Sequence, residues 1–174
     1  MEKEKRKKEL LEKAYELGFE YEKTYKGCSQ CVIAAIQDTL EIRDDSVFKA
    51  ATGLAGGGGL TGIGACGGYA GGVMVLSQLL GRERSTFDDP ERIRFRSFDL
   101  AKKLADQFID EFGTIICRDI QAKIFGRAYY LRDPDEFSKF EEAGAHRDKC
   151  PDVVGKAAQM AVEIILDEEL VSRK

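Results

Sequence analysis

The chain has 174 residues, of which 43% are hydrophobic and 33% are charged, with a formal net charge of −4 at pH 7. This composition argues against disorder, and the negative charge gives no reason to expect nucleic-acid binding. The charged N-terminus lacks the apolar segment of a signal peptide, and no apolar run approaches the roughly 20 residues that span a membrane. We therefore expect a single cytoplasmic domain over residues 1–174.

Apolar residues recur at helical spacing along the chain, and no alternation typical of strands is present, so the predicted fold class is all-α. An amphipathic helix within residues 1–25 is expected first. The predicted helices are, in chain order, residues 3–24, 28 or 29 to 40, 45–51, 69–80, 90–112 and 115–125, a short helix from 134, and 151–171. They predict a helical bundle in which a glycine-rich loop leads into a buried helix.

For two of these helices the sequence predicts which residues are buried against the rest of the bundle. The first helix is expected to bury Leu10, Ala14, Leu17, Tyr21 and Tyr25. The 90–112 helix is expected to bury Phe98, Ala101, Ala105, Phe108 and Phe112. Asp89-Pro90 predicts the start of this helix, because a carboxylate can cap free amides and proline suits the first helical position. The long apolar face between Phe95 and Phe112 makes a homodimer plausible.

Glycine is concentrated in one segment, since eleven of the eighteen glycines lie between Gly53 and Gly72. Cys66 stands near the end of that segment. Because glycine has no Cβ, such backbone can bring its amides close to a neighbouring group. We expect the amides around Gly64, Gly67, Gly68 and Gly71 to help bind a cofactor.

Four of the five cysteines lie at or near predicted helix starts: Cys28, Cys66, Cys117 and Cys150. Free amides and the helix dipole favour negative charge there, so a lowered thiol pKa is expected. Thiolate is the form that binds metals or attacks disulfides. A reducing cytoplasm disfavours structural disulfides, which favours a functional role for these thiols.

Three kinds of site fit these thiols. An iron–sulfur cluster takes four cysteine ligands, which here come from distant segments because compact ferredoxin spacing is absent. Zinc, the second choice, fits Cys28-x-x-Cys31 together with His146 or Cys150. The same C-x-x-C at a helix start also fits dithiol chemistry, although no βαβ unit surrounds it. In that case Cys28 and Cys31, or Cys66, are the catalytic thiols.

Residues 62–67 match the pattern G-x-G-x-x-G, but no preceding strand or βαβ unit is predicted, so we reject a dinucleotide site. His146 is the single histidine, and no C-x-x-C-H motif for covalent haem is present.

Several segments together resemble the redox-active protein family designated C_GCAxxG_C_C. They are residues 27–32, residues 48–58, Cys66-Gly67-Gly68-Tyr69-Ala70-Gly71, residues 74–76, Cys117-Arg118 and Cys150. The resemblance extends over residues 26–170 and implies that the family's four cysteines correspond to Cys28, Cys66, Cys117 and Cys150. Gly68 replaces the alanine of the family signature, and Cys31 is an additional thiol.

The first hypothesis is a cluster or other metal centre held by these four cysteines, which exchanges electrons with a redox partner protein. The second is a metal-free thiol–disulfide oxidoreductase. The third is a non-redox helical binding or assembly module in which the glycine loop forms a pocket or a subunit contact.

Overall fold

A computed structural model describes residues 1–171 and contains eight α-helices within them. They are α1 (Glu2–Tyr25), α2 (Cys28–Leu40), α3 (Asp45–Ala50), α4 (Gly67–Leu79), α5 (Ile93–Phe112), α6 (Cys117–Phe125), α7 (Pro134–Glu142) and α8 (Cys150–Asp167). The described chain has no β-strand, and one isolated bridge pairs Ala65 with Ile116. The all-α prediction is confirmed.

The C-terminal helix α8 forms the centre of the structure and packs against α1, α2, α4 and α5. Its apolar face, which includes Val154, Ala158, Ala161 and Ile165, is buried as predicted. Small residues allow α1 to approach it closely: a Cβ added to Gly18 would lie 2.9 Å from the Val154 carbonyl oxygen. The α1 and α8 backbones therefore meet almost directly.

A second close approach joins α2 and α4. A Cβ on Gly71 of α4 would overlap the Ser29 carbonyl oxygen and the Val32 side chain of α2. The buried residues Val32, Ile33 and Ile36 of α2 belong to the same core as Val75 and Leu76 of α4. This arrangement brings the N-termini of α2 and α4 together, with Cys28 and Cys66 beside each other.

The structure corrects the predicted start of α5. The helix begins at Ile93, three residues after Pro90, because Asp89 and Arg92 both have left-handed backbone conformations. The Asp89 carboxylate still accepts hydrogen bonds from the amides of Ile93, at 2.7 Å, and Arg94, at 3.2 Å. The capping group was therefore predicted correctly and the first helical residue was not.

Two predicted inner faces are partly wrong. Phe98 is 59% exposed, and the buried stripe of α5 is instead Ser97, Leu100, Leu104, Phe108 and Phe112. In α1, Tyr25 is 73% exposed, and the buried stripe is Ala14, Gly18 and Glu22. In α1, Gly18 occupies the buried stripe because the α8 backbone approaches too closely for a larger side chain.

The end of the chain also differs from its prediction. Helix α8 ends at Asp167 instead of Val171 and is preceded by a π-helical turn over Ala145–Lys149. In that turn the Lys149 amide donates to the Gly144 carbonyl five residues earlier. None of the helices within residues 1–171 combines the length and apolar character that crossing a membrane requires.

Candidate functional site

Four helix N-termini meet at one pocket of ≈ 70 Å³, and each contributes a cysteine to its wall. Cys28, Cys117 and Cys150 are the first residues of α2, α6 and α8, and Cys66 immediately precedes α4. The rest of the wall is largely apolar: Leu60, Ile120, Ile124, Leu131, Phe137, Phe140, Val153 and Val154. Residues far apart in the sequence thus form one thiol-lined cavity.

The glycine loop holds Cys66 and Cys117 next to each other. The Cys66 amide donates to the Ile115 carbonyl at 2.7 Å, and the Cys117 amide donates to the Gly64 carbonyl at 3.0 Å. These bonds flank the isolated bridge and join the end of the loop to the start of α6. The same geometry requires a bare Gly64, since its Cβ would lie 2.6 Å from the Gly57 carbonyl oxygen.

Each of three pocket sulfurs accepts a hydrogen bond from a nearby N–H group. Amides of Gly56 and Gly67 donate to Cys28, and amides of Gly68 and Tyr69 donate to Cys66. The Cys117 sulfur accepts from Gln121 Nε2 at 3.4 Å. The Gln121 amide is in turn oriented by the Tyr129 amide, which donates to its Oε1 at 2.8 Å.

The four glycines predicted to bind a cofactor have two different roles. Gly67 and Gly68 are the first residues of α4, and their amides contact the sulfurs of Cys28 and Cys66. A Cβ on Gly67 would also collide with the Cys28 sulfur. Gly64 closes the loop, and Gly71 lets α2 and α4 approach, so the structure places these two in backbone packing.

The expected lowering of the thiol pKa values is wrong. Burial, followed by the nearby carboxylate of Glu22, raises the pKa of Cys28, Cys31 and Cys150. Burial also raises the pKa of Cys66 to about 12 and that of Cys117 to about 11, with repulsion from a neighbouring thiolate as a further cause. Donor amides at helix N-termini do not offset this desolvation.

Cys31 is separated from the other four thiols. It is 4% exposed, it does not line the pocket, and its sulfur donates to the Lys26 carbonyl oxygen at 3.2 Å. All five cysteines are free thiols. The C-x-x-C motif therefore contributes one thiol to the pocket and one to the core.

A buried carboxylate and the histidine complete the pocket wall. Glu22, which is 2% exposed, lies with its Oε1 3.5 Å from His146 Nε2. His146 Nδ1 is 2.6 Å from Glu141 Oε1, and this oxygen accepts from Lys26 Nζ at 2.8 Å. Burial opposes protonation of His146, but the hydrogen bonds to Glu22 and Glu141 outweigh it and raise the pKa of His146.

Sequence reasoning missed Glu22 and Gln121. A signal for Glu22 was present, because it follows Ala14 and Gly18 at intervals of four residues and so falls on the buried stripe of α1. A charged residue in such a stripe indicates a buried partner or a functional site. Gln121 follows Cys117 by one helical turn, which is the corresponding signal.

Within residues 1–171, no three His, Cys, Asp or Glu side chains are grouped closely enough to hold a single metal ion. The four cysteines instead surround free space. A cavity that holds one water needs about 10–15 Å³, so ≈ 70 Å³ admits an occupant of several atoms.

Comparison with known proteins gives one match. The family model described as "Putative redox-active protein (C_GCAxxG_C_C)" matches residues 25–164, a range that contains all four pocket cysteines. Searches of curated proteins and of solved structures found no match. Because the match covers most of the chain, this protein belongs to the C_GCAxxG_C_C family.

Proposed function

We propose that this protein carries electrons on an iron–sulfur cluster bound by Cys28, Cys66, Cys117 and Cys150. The observation that carries the proposal is the convergence of these four thiols, from four helix N-termini, on one pocket. Iron–sulfur clusters are commonly held by four cysteine thiolates. The cysteine ligands of a cluster are distributed over several irons, so they surround a volume instead of a single point.

Hydrogen bonding supports a cluster at this position. Amides of Gly67 and Gly68 already point at cysteine sulfurs, and Gln121 donates to a third sulfur. Such donors stabilise negative charge on sulfur and tune the reduction potential of a cluster. The N-termini of the helices add positive potential at the pocket.

The charge state of the pocket also favours a metal occupant. Without a cation, burial keeps the thiols protonated, as the raised pKa values of Cys66 and Cys117 show. A bound metal ion would stabilise the buried thiolates by its positive charge, and the thiols would release their protons when it binds. When bound, the cluster would accept one electron from a donor protein and pass it to an acceptor.

The first experiment is to purify the protein anaerobically, record its visible spectrum, and quantify iron, zinc and acid-labile sulfide. Broad visible absorption with iron and sulfide in equal amounts is expected. Serine replacements of Cys28, Cys66, Cys117 and Cys150, made one at a time, should each lose most of the iron and the visible bands. A colour that survives in all four variants would contradict the proposal.

Cys31 provides the matched control for these variants. Cys31→Ser removes a buried thiol from the same helix as Cys28, yet leaves the pocket wall intact. We expect this variant to keep its iron, its sulfide and its spectrum. Loss of the cluster in Cys31→Ser as well as in Cys28→Ser would instead indicate a ligand set that includes the C-x-x-C pair.

The same samples distinguish the remaining hypotheses. Zinc without sulfide would favour a zinc site. A colourless, metal-free protein that reversibly loses about two daltons per disulfide on oxidation would favour dithiol chemistry. A protein that tolerates serine or alanine at all five cysteines without loss of function would favour the non-redox module.

A further inference from the structure

One buried oxygen in the pocket has no partner. In the described chain, two buried side-chain oxygens lack a hydrogen bond, Glu22 Oε2 and Gln107 Oε1, and of these only Glu22 lines the pocket. A buried carboxylate oxygen without a partner is unfavourable, which is why native proteins seldom contain one. Its presence beside a cavity indicates that an occupant supplies the missing contact.

The other side of this carboxylate is fixed. Its Oε1 lies 3.5 Å from His146 Nε2, and the second nitrogen of His146 is held at 2.6 Å by Glu141. Lys26 holds the same Glu141 oxygen at 2.8 Å. Supporting hydrogen bonds of this kind orient residues that bind a metal centre. The contacts from Lys26 through Glu141 and His146 thus hold one side of the Glu22 carboxylate and leave Oε2 without a hydrogen bond.

We propose that Glu22 is a fifth protein contact of the centre and that its Oε2 binds iron there. The inference rests on the proposed cluster and assigns it a ligand that the cysteine motif does not contain, since Glu22 precedes the family-matched residues 25–164. Carboxylate oxygen is an established type of ligand for iron. An anionic ligand from α1 also places one further negative charge beside the cluster.

The test compares Glu22→Gln with Glu20→Gln in the anaerobically purified, iron-loaded protein. Glu20 is an exposed residue on the same helix, so the control removes the same charge at the surface. Iron, sulfide, the electron paramagnetic resonance spectrum of the reduced protein and the reduction potential are measured for both.

We expect Glu20→Gln to match the wild type. Glu22→Gln should show altered resonance positions and a reduction potential at least 59 mV more positive, which is a tenfold change in the one-electron equilibrium. The shift is positive because a negative charge that disfavours the reduced cluster has been removed. Spectra and potential that match those of Glu20→Gln would overturn the proposal.

A further variant covers the case in which Glu22→Gln folds but takes up no iron. Glu22→Asp keeps the carboxylate, so recovery of iron and sulfide in this variant would support the contact. Failure of Glu22→Asp as well would overturn it in favour of a structural role. Wild-type protein that contains no iron or sulfide would contradict the proposed cluster. The wild type is therefore measured before any variant.

Discussion

At the scale of single residues, two features of the pocket cysteines act on the thiol pKa in opposite directions. Each pocket cysteine stands at a helix N-terminus, where the dipole favours thiolate, yet burial raises the pKa of every one. Desolvation in an apolar cavity outweighs the dipole because it acts on the full charge of the sulfur. The sequence shows the helix starts through glycine and proline, but it does not show how deeply each thiol is buried.

These pKa values predict slow alkylation of the iron-free protein. With the pKa of Cys66 raised to about 12, only about one molecule in ten thousand carries this thiolate at pH 8, against roughly a quarter for an ordinary cysteine. Cys117, with a pKa of about 11, should react faster than Cys66. Iodoacetamide labelling, followed residue by residue by mass spectrometry, should accelerate about tenfold per pH unit between pH 8 and 10.

The urea-unfolded protein is the control for this experiment, because its cysteines should react with an ordinary pKa near 8.5. Rapid labelling of a native pocket cysteine that levels off below pH 8 would contradict the raised pKa values. Such a result would also favour the dithiol hypothesis.

At the scale of single elements, helix α4 shows which part of a glycine-rich motif binds and which part packs. Gly67 and Gly68 present amides to sulfur, whereas Gly71 and Gly72 make room for α2 and for Leu104. A sequence motif predicts the close approach of backbone but not the identity of the approaching group. The group that approaches each glycine belongs to a helix more than thirty residues away in the sequence.

Replacement of Gly71 by alanine should therefore destabilise the fold rather than empty the pocket directly. The new methyl would overlap the Ser29 carbonyl and the Val32 side chain, which forces α2 and α4 apart. We expect a loss of about 2 kcal/mol in the free energy of unfolding, measured by urea denaturation, since overpacking typically costs about 1–3 kcal/mol.

Gly53→Ala is the matched control, because nothing lies within 4 Å of the position that its Cβ would occupy. This variant should change the free energy of unfolding by less than about 0.5 kcal/mol. Equal stability of the two alanine variants would show that α2 and α4 are not in contact at Gly71.

The late start of α5, at Ile93 instead of Pro90, has a local cause. Asp89 and Arg92 take left-handed conformations, so the chain turns once more after Pro90 before the helix begins. The carboxylate of Asp89 reaches forward over this turn to the amides of Ile93 and Arg94. Aspartate followed by proline predicts a capping group, but it does not specify how many residues separate the cap from the first helical turn.

At the scale of the whole molecule, the helices were predictable and their assembly was not. Helix periodicity depends on neighbours within about four residues, and eight helices appear close to their predicted positions. The pocket depends on contacts between α1, α2, α4, α6 and α8, which no local pattern encodes. The family resemblance grouped the four cysteines. Only the structure shows that Glu22 lines the same pocket and that Cys31 lies outside it.

Removal of the proposed cluster should lower the thermal stability of the whole chain. A ligand present at 100 times its dissociation constant stabilises the native state by about 2.7 kcal/mol, which corresponds to roughly 5–10 °C in Tm for a protein of this size. Differential scanning calorimetry of iron-loaded and iron-free wild type should show this difference. Cys66→Ser, treated with iron and sulfide in the same way, should show none.

The wall of the pocket is assembled from both ends of the chain, with Glu22 and Cys28 near its beginning and Cys150 near its end. A chain leaving the ribosome cannot form the last side of this cavity until α8 has emerged and packed against α1. The complete set of four cysteines is therefore available to a cluster only after most of the chain has been made. On the proposed function, cluster insertion would be a late step, made into a nearly complete protein.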